Sequence, residues 1–121
     1  MIVAKQPNHA STPRLSCIVL SYNSEIDKDK CVFHCLLSVL SQTEDFFEII
    51  LVENSREKPA YLAELESKVS QWNQKRVYPI PLTLINNSHS LSVGKARNIG
   101  AQKAKGEILI FIDDDTIIAD Q

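Results

Sequence analysis

The sequence predicts an α/β domain: strand, helix, strand, helix, strand, helix, strand, folded as an open, mostly parallel sheet of the Rossmann-like kind. Three observations lead there. Four short apolar runs, at 15–20, 47–52, 80–85 and 107–112, are rich in strand formers and bounded by turn residues. Three stretches between them repeat apolar residues at helical spacing. Regular alternation of the two is the pattern of parallel strands joined by crossover helices.

Each element has its own justification. Residues 1–14 hold Pro7, Asn8, His9, Ser11, Thr12 and Pro13, the composition of a flexible N-terminal lead-in, so the folded domain is expected over 15–121. Leu15 to Leu20 reads Leu-Ser-Cys-Ile-Val-Leu, and Ser21, Tyr22, Asn23 and Ser24 end it. Such a run fits a strand covered on both faces. Val32, Phe33, Leu36, Leu37, Val39 and Leu40 then recur at helical spacing, and Gln42 and Thr43 close that helix. Residues 47–52 form the second strand. Leu62, Leu65, Val69 and Trp72 give a helix over 60–74 one apolar face. Pro79 and Pro81 sit at the start of a third strand over 80–85, where a missing N–H is tolerated. A third helix covers 93–105, with Gly106 as its stop residue. The fourth strand, 107–112, runs straight into Asp113, Asp114 and Asp115.

Composition narrows the function classes. The chain has 121 residues, one domain's worth, with 44% hydrophobic and 23% charged residues, a composition that fits disorder poorly. Thirteen Lys and Arg against fifteen Asp and Glu give a net charge of −2, without the basic footprint of a nucleic-acid binder. Three Cys cannot close a disulfide set and suit a reducing compartment. No apolar run approaches the ~20 residues of a membrane span, and the polar first residues carry no apolar signal core. The expected location is cytoplasmic.

Right-handed crossovers place every parallel strand's C-terminal end on one edge, where ligands of such sheets bind. That rule gathers Tyr22 and Asn23, Glu53 and Asn54, Asn86 and Asn87, and Asp113 to Asp115 on one rim. In an extended segment Asp113 and Asp115 point the same way, with Asp114 opposite. Two carboxylates on one side suit Mg²⁺ or Mn²⁺, which keeps positions open for substrate phosphates. The bland alternative is a solvated acidic turn. Glu53 and Asn54 fit the edge of a base or a ribose hydroxyl, and equally a capped turn in which Asn54 or Ser55 starts the next helix. Tyr22 fits a stacking surface for a base, and equally a packed ring. The helix start at Ser92 to Gly100 favours anions, with Lys95 and Arg97 adding charge, but it is neither a P-loop nor GxGxxG. Cys31, His34 and Cys35 lie on one helix without a second ligand pair, so core thiols are favoured over zinc.

Together these motifs resemble family 2 glycosyltransferases of the GT-A fold, the large group of inverting enzymes that use nucleotide sugars. The first strand ends Leu20-Ser21-Tyr22-Asn23, where the family has Pro-Thr-Tyr-Asn. Leu36, Leu37, Val39, Leu40 and Gln42 match the family's Leu-Leu-x-Gln helix end, and Val52-Glu53-Asn54-Ser55 its Val-Asp-Asp/Asn-Gly-Ser. Ala96-Arg97-Asn98-Ile99-Gly100 is the family's Ala-Arg-Asn-x-Gly intact, and 106–115 follow its Gly-Glu…Asp-x-Asp pattern. The resemblance implies that Tyr22 and Asn23 line a nucleotide pocket, that Glu53 contacts the base, and that Asn54, Arg97 and Asp114 belong to the nucleotide-sugar site. It also implies that Asp113 and Asp115 bind the divalent cation with the donor's ribose and diphosphate, the donor being UDP-linked.

Three departures touch the nucleotide preference: Leu20 for Pro, Glu53 for Asp, and no Gly in the turn after Asn54. The family's catalytic base and acceptor site follow the Asp-x-Asp, and this chain runs six residues past Asp115, so a truncated, donor-binding half is expected, with the base beyond Gln121. The alternative is a non-catalytic nucleotide-binding or assembly module. An aspartate-based phosphohydrolase fits poorly, because its Asp-x-Asp belongs on the first strand and position 117 is Ile. Residues 107–112 carry no Pro or Lys, and as an open edge they would pair with a second copy, giving a homodimer.

Overall fold

Short apolar strands and one-sided helices can bury each other only in layers. The computed structural model describes residues 2–5, 14–22, 32–41, 47–55, 60–77, 79–87 and 92–118, and it has that layered form. In chain order the elements are β1 (Ile2–Lys5), β2 (Leu15–Ser21), α1 (Val32–Leu40), β3 (Phe47–Glu53), α2 (Tyr61–Asn73), β4 (Leu82–Asn86), α3 (Val93–Lys103) and β5 (Ile108–Asp113). The five strands form one sheet in the order β1-β5-β2-β3-β4. β2, β3, β4 and β5 run parallel, and β1 is antiparallel to β5.

Side-chain alternation splits the core in two. Cys17, Val19, Ile49, Leu51 and Ile112 face α1 and α2, which contribute Val32, Cys35, Leu36, Val39, Leu40, Leu62, Leu65 and Val69. Ile18, Ile50, Val52 and Leu109 face the other way and pack with Ala96 of α3. The split follows from handedness. The chain steps one way from β2 to β3 to β4, then reverses past β2 to reach β5, so the last right-handed crossover lands on the opposite face. β3, covered on both faces, is buried along its whole length.

Gly100 explains how α3 fits. A Cβ there would lie 2.6 Å from Ile18 Cγ2 and 3.1 Å from Val52 Cγ2, so only glycine lets the helix settle this close to β2 and β3. Ala96, one turn earlier, is fully buried on the same stripe.

The opposite, N-terminal edge of the sheet is pinned by a buried carboxylate. Glu48 accepts from the Ser16 hydroxyl and from the Lys105 N–H, both at 2.7 Å, and Gly106 N–H donates to Ser16 Oγ at 2.8 Å. Asn73 pairs with both backbone groups of Ile80, at 2.8 and 2.9 Å, and so fixes the path from α2 to β4.

Several expectations need correction. Residues 2–5 are not a structureless lead-in: they pair with Ile108 to Phe111, a long-range match invisible to local composition. The β5 edge is therefore covered by this chain's own strand, which removes the open β5 edge from which a homodimer was expected. β4 begins at Leu82 rather than at residue 80, because Ile80 is held by Asn73 and Pro81 contributes only its carbonyl, to Ile49 N–H at 2.9 Å. α3 ends at Lys103, capped by Ala104, and Gly106 is not its stop. Glycine is required there because a Cβ would meet Ser16 Oγ at 2.6 Å and the Leu15 carbonyl carbon at 2.7 Å. The thiols behave as expected: Cys17 and Cys35 are free and buried, while Cys31 lies outside the described residues.

Two outcomes are expected. Gly100→Ala should destabilise by roughly 1–3 kcal/mol in urea unfolding, the cost of overpacking. Gly94→Ala, with nothing within 4 Å of its new Cβ, should be neutral or stabilise by up to ~1 kcal/mol through helix propensity. Equal effects would contradict the close-approach role of Gly100. Removing residues 1–5 should make the chain self-associate with rising concentration in light scattering, and an unchanged mass would mean that β1 does not protect β5.

Candidate functional site

The reversal of strand order lies between β2 and β5, and α/β sheets bind ligands beyond the strand ends at such a point. Register brings the rim residues into line. Ser21 pairs with Glu53, Glu53 with Asn86, and Leu20 with Asp113. Above these ends is an open cleft of about 330 Å³ lined by Leu20, Ser21, Tyr22, Asn54, Val93 and Asp113 to Asp115.

The aspartates leave β5 in a turn rather than an extended segment. Thr116 N–H donates to Asp113 O at 3.0 Å, and Asp114 N–H continues the β2 ladder to Leu20 O at 3.1 Å. Burial alternates along the turn. Asp113 and Asp115 are exposed, and Asp114 turns inward. Its Oδ2 accepts from the Ser21 hydroxyl at 3.3 Å and from Tyr22 N–H at 3.4 Å. Burial pushes the Asp114 carboxyl above the ordinary carboxylate range. The Tyr22 and Ser21 donors oppose that shift, and the charges of Asp115 and Glu53 add to it.

Arg97 reaches over from α3 to Asp113 Oδ1 at 3.5 Å. The carboxylate is 61% exposed, so this pair is worth no more than ~1 kcal/mol. Ser92 caps α3, accepting from Lys95 N–H at 3.3 Å, so the helix start beside the cleft is well formed.

Tyr22 is 66% exposed, which favours the stacking surface over the packed ring. Val93, also exposed, adds a second apolar wall to the same cleft. Glu53 is elsewhere: it is 1% exposed, does not line the cleft, and its carboxylate accepts from the Tyr61 hydroxyl of α2. Asn54 and Ser55 are buried, and neither caps α2, whose N-cap is Ala60 without a side-chain bond. Asn54 N–H donates to Ser21 O at 2.7 Å, which fixes the β3 end against the β2 end. Asn23 lies outside the described residues.

Sequence reasoning missed Ser21, Tyr61, Cys35 and Ser38. Ser21 stands 3.3 Å from Tyr61 Oη and 3.3 Å from Asp114, so a polar chain runs Glu53–Tyr61–Ser21–Asp114 behind the cleft. Cys35 donates to Asp113 O at 3.6 Å. Its thiol is pushed up to about 12 by burial first, then by Asp114, Cys17, Asp115 and Asp113, so it stays protonated as a donor. The signal was available only as a polar residue on an apolar face.

Among the described residues no group of three or more His, Cys, Asp or Glu converges as a metal site. The exposed pair Asp113 and Asp115 still fits Mg²⁺ or Mn²⁺, which takes one or two protein carboxylates and completes its shell with water and phosphate. Among the described residues no helix is long and apolar enough to cross a membrane.

Comparisons with known proteins bear on the family and the fold. The model of glycosyl transferase family 2 matches residues 16–121. An uncharacterized glycosyltransferase of Haemophilus influenzae is 32% identical over 101 residues, covering 84% of this chain, which spans only 29% of that relative's length. TarS of S. aureus, residues 1–349 in complex with UDP, superposes with a TM-score of 0.60 at 23% identity, over 84% of this chain and 27% of its own. The mannosyltransferase PcManGT of Pyrobaculum calidifontis, in complex with GDP-Man and Mn²⁺, does so with a TM-score of 0.63 at 21% identity, over 97% of this chain and 32% of its own. Both share the GT-A-like fold. With the family model spanning both the β2 end and the Asp113–Asp115 turn, the chain belongs to glycosyl transferase family 2.

Proposed function

We propose that this chain is the donor-binding part of an inverting glycosyltransferase, holding a nucleotide-diphospho-sugar with a divalent cation for transfer to an acceptor. The observation that carries the reading is the cleft at the strand-order reversal, which an exposed aromatic ring and an acidic turn line together. Tyr22 and Val93 offer apolar faces to a base and ribose. Tyr22 and Asn54, with Asn23 next to Tyr22 in sequence, form the nucleotide wall. Asp113 and Asp115 hold Mn²⁺ or Mg²⁺, and Arg97 faces the phosphates beside them. Asp114 orients the turn from within.

Glu53 enters this reading differently from a direct base contact. Its carboxylate is buried against Tyr61, so in this arrangement it supports the pocket floor rather than meeting the ligand. A base contact by Glu53 requires Tyr61 to give way.

The cation, when bound, neutralises charge on the departing diphosphate. The chain's own residues supply binding and orientation: a carboxylate pair, a guanidinium, and backbone fixed by Ser21. The base that deprotonates the acceptor is assigned to no residue up to Gln121. A UDP-linked donor is favoured by the UDP complex of the TarS neighbour. The GDP-Man complex of the other neighbour makes GDP the natural competitor. A cytoplasmic location, expected from the cysteine usage, belongs to the same proposal.

Calorimetry with UDP tests the reading. UDP should bind, and more tightly with Mn²⁺ present. Asp113→Ala with Asp115→Ala should remove that gain, a loss of ~10-fold or more in affinity. Absent binding, or equal binding in both proteins with and without Mn²⁺, would overturn the reading. Tighter binding of GDP than of UDP would overturn only the base assignment.

A further inference from the structure

The acidic turn is gripped from three directions, and one of them serves neither the sheet nor the ligand. β2 holds Asp114 through Leu20 O, Ser21 Oγ and Tyr22 N–H. Arg97 of α3 touches Asp113. The third hold comes from α1. Cys35 Sγ–H donates to Asp113 O at 3.6 Å, at the start of the turn. Ser38 Oγ accepts from Ile118 N–H at 2.9 Å, beyond its end.

Cys35 and Ser38 lie three residues apart, on one face of the helix. Ser38 is also oriented for its task. Its own proton goes to Cys35 O at 2.7 Å, which leaves the oxygen lone pairs for Ile118. The two anchors therefore bracket 113–118, and they belong to a helix fixed by the larger core cluster. Residues 116–118 have no regular structure of their own and Ile117 is exposed, so beyond the Thr116 N–H bond to Asp113 O their path rests on α1. Ile118 adds a hydrophobic contact to the same cluster.

We propose that Ser38 and Cys35 are positioning residues of the donor site. By fixing both ends of the acidic turn on α1, they set where Asp113 and Asp115 stand relative to the β2 end, and so how much a divalent cation strengthens nucleotide diphosphate binding. Neither residue touches the ligand. The inference rests on the donor-site reading above, and its test separates the two.

The test compares the full chain with Ser38→Ala, Ser38→Thr and Cys35→Ala. UDP affinity is measured with and without Mn²⁺, and amide hydrogen exchange is followed across 113–118. Ser38→Ala should keep its metal-free UDP affinity and lose about 3- to 10-fold of the Mn²⁺-dependent gain, the equivalent of one hydrogen bond. Exchange at Thr116 to Ile118 should quicken, with protection elsewhere unchanged. Ser38→Thr, which keeps the hydroxyl, should restore both. Should Ser38→Ala not fold, Cys35→Ala removes the other anchor and should give the same pattern. A folded Ser38→Ala with an intact Mn²⁺ gain would overturn the inference and leave the donor site standing. If the unmodified chain shows no Mn²⁺ gain, the donor-site reading fails instead. The anchoring then stands or falls on exchange alone, and unchanged protection at 116–118 would overturn it.

Discussion

β2 pairs in parallel with β3 over Leu15–Ser21 and with β5 from Leu15 to Leu20, and the site depends on this double pairing. Because both neighbours run the same way, three chain ends reach one rim together. Because β5 is added on the side away from β3, the helices leading to the two neighbours lie on opposite faces, and a gap opens above β2. Ser21 occupies the meeting point. Its carbonyl takes Asn54 N–H, its hydroxyl reaches Asp114 and stands beside Tyr61, and its side chain is buried. The acidic turn is thus tied to β2 by backbone and side-chain bonds at once.

The rim concentrates negative charge, and its carboxylates are not equivalent. Glu53 is sealed behind Tyr61, Asp114 is half-buried and hydrogen-bonded, and Asp113 and Asp115 are exposed. Of these four, only Asp113 and Asp115 are open to a cation arriving from solvent. The inward members act as supports: breaking a bond to a buried carboxylate costs more than making it gains, so they resist displacement. Arg97 is the contrasting case, a cation held so weakly that exchange of Asp113 for a phosphate costs little.

Strand and helix positions were legible because apolar residues dominate each parallel strand, with single polar positions such as Ser16 and Glu48, and recur at helical spacing in the helices. The alternation in exposure of Asp113, Asp114 and Asp115 was legible too, although they form a turn and not the extended segment from which it was argued. β1 was not, because its four residues pair only with β5, more than a hundred residues away in sequence. Glu53 could not be placed from its position alone. A carboxylate at a strand end fits the rim and the interior equally, and Tyr61, which decides the matter, lies on the next helix. The Ala96–Gly100 motif could be recognised, but its physical reason, the approach of α3 to Ile18 and Val52, requires the packed sheet. Ser38 was hidden for the same reason: its partner Ile118 is joined to it only by the fold.

The central claim is that the end of β2 and the acidic turn together form one cation-assisted nucleotide site. Paramagnetic broadening in ¹⁵N spectra tests it most directly, with Mn²⁺ added in trace amounts to the UDP-saturated chain. The account predicts that the amides of Tyr22, Asn54 and Asp113 to Thr116 broaden first, while Lys105 and Gly106, at the opposite edge of the sheet, stay sharp. Broadening centred elsewhere, or spread evenly over exposed carboxylates, would contradict it.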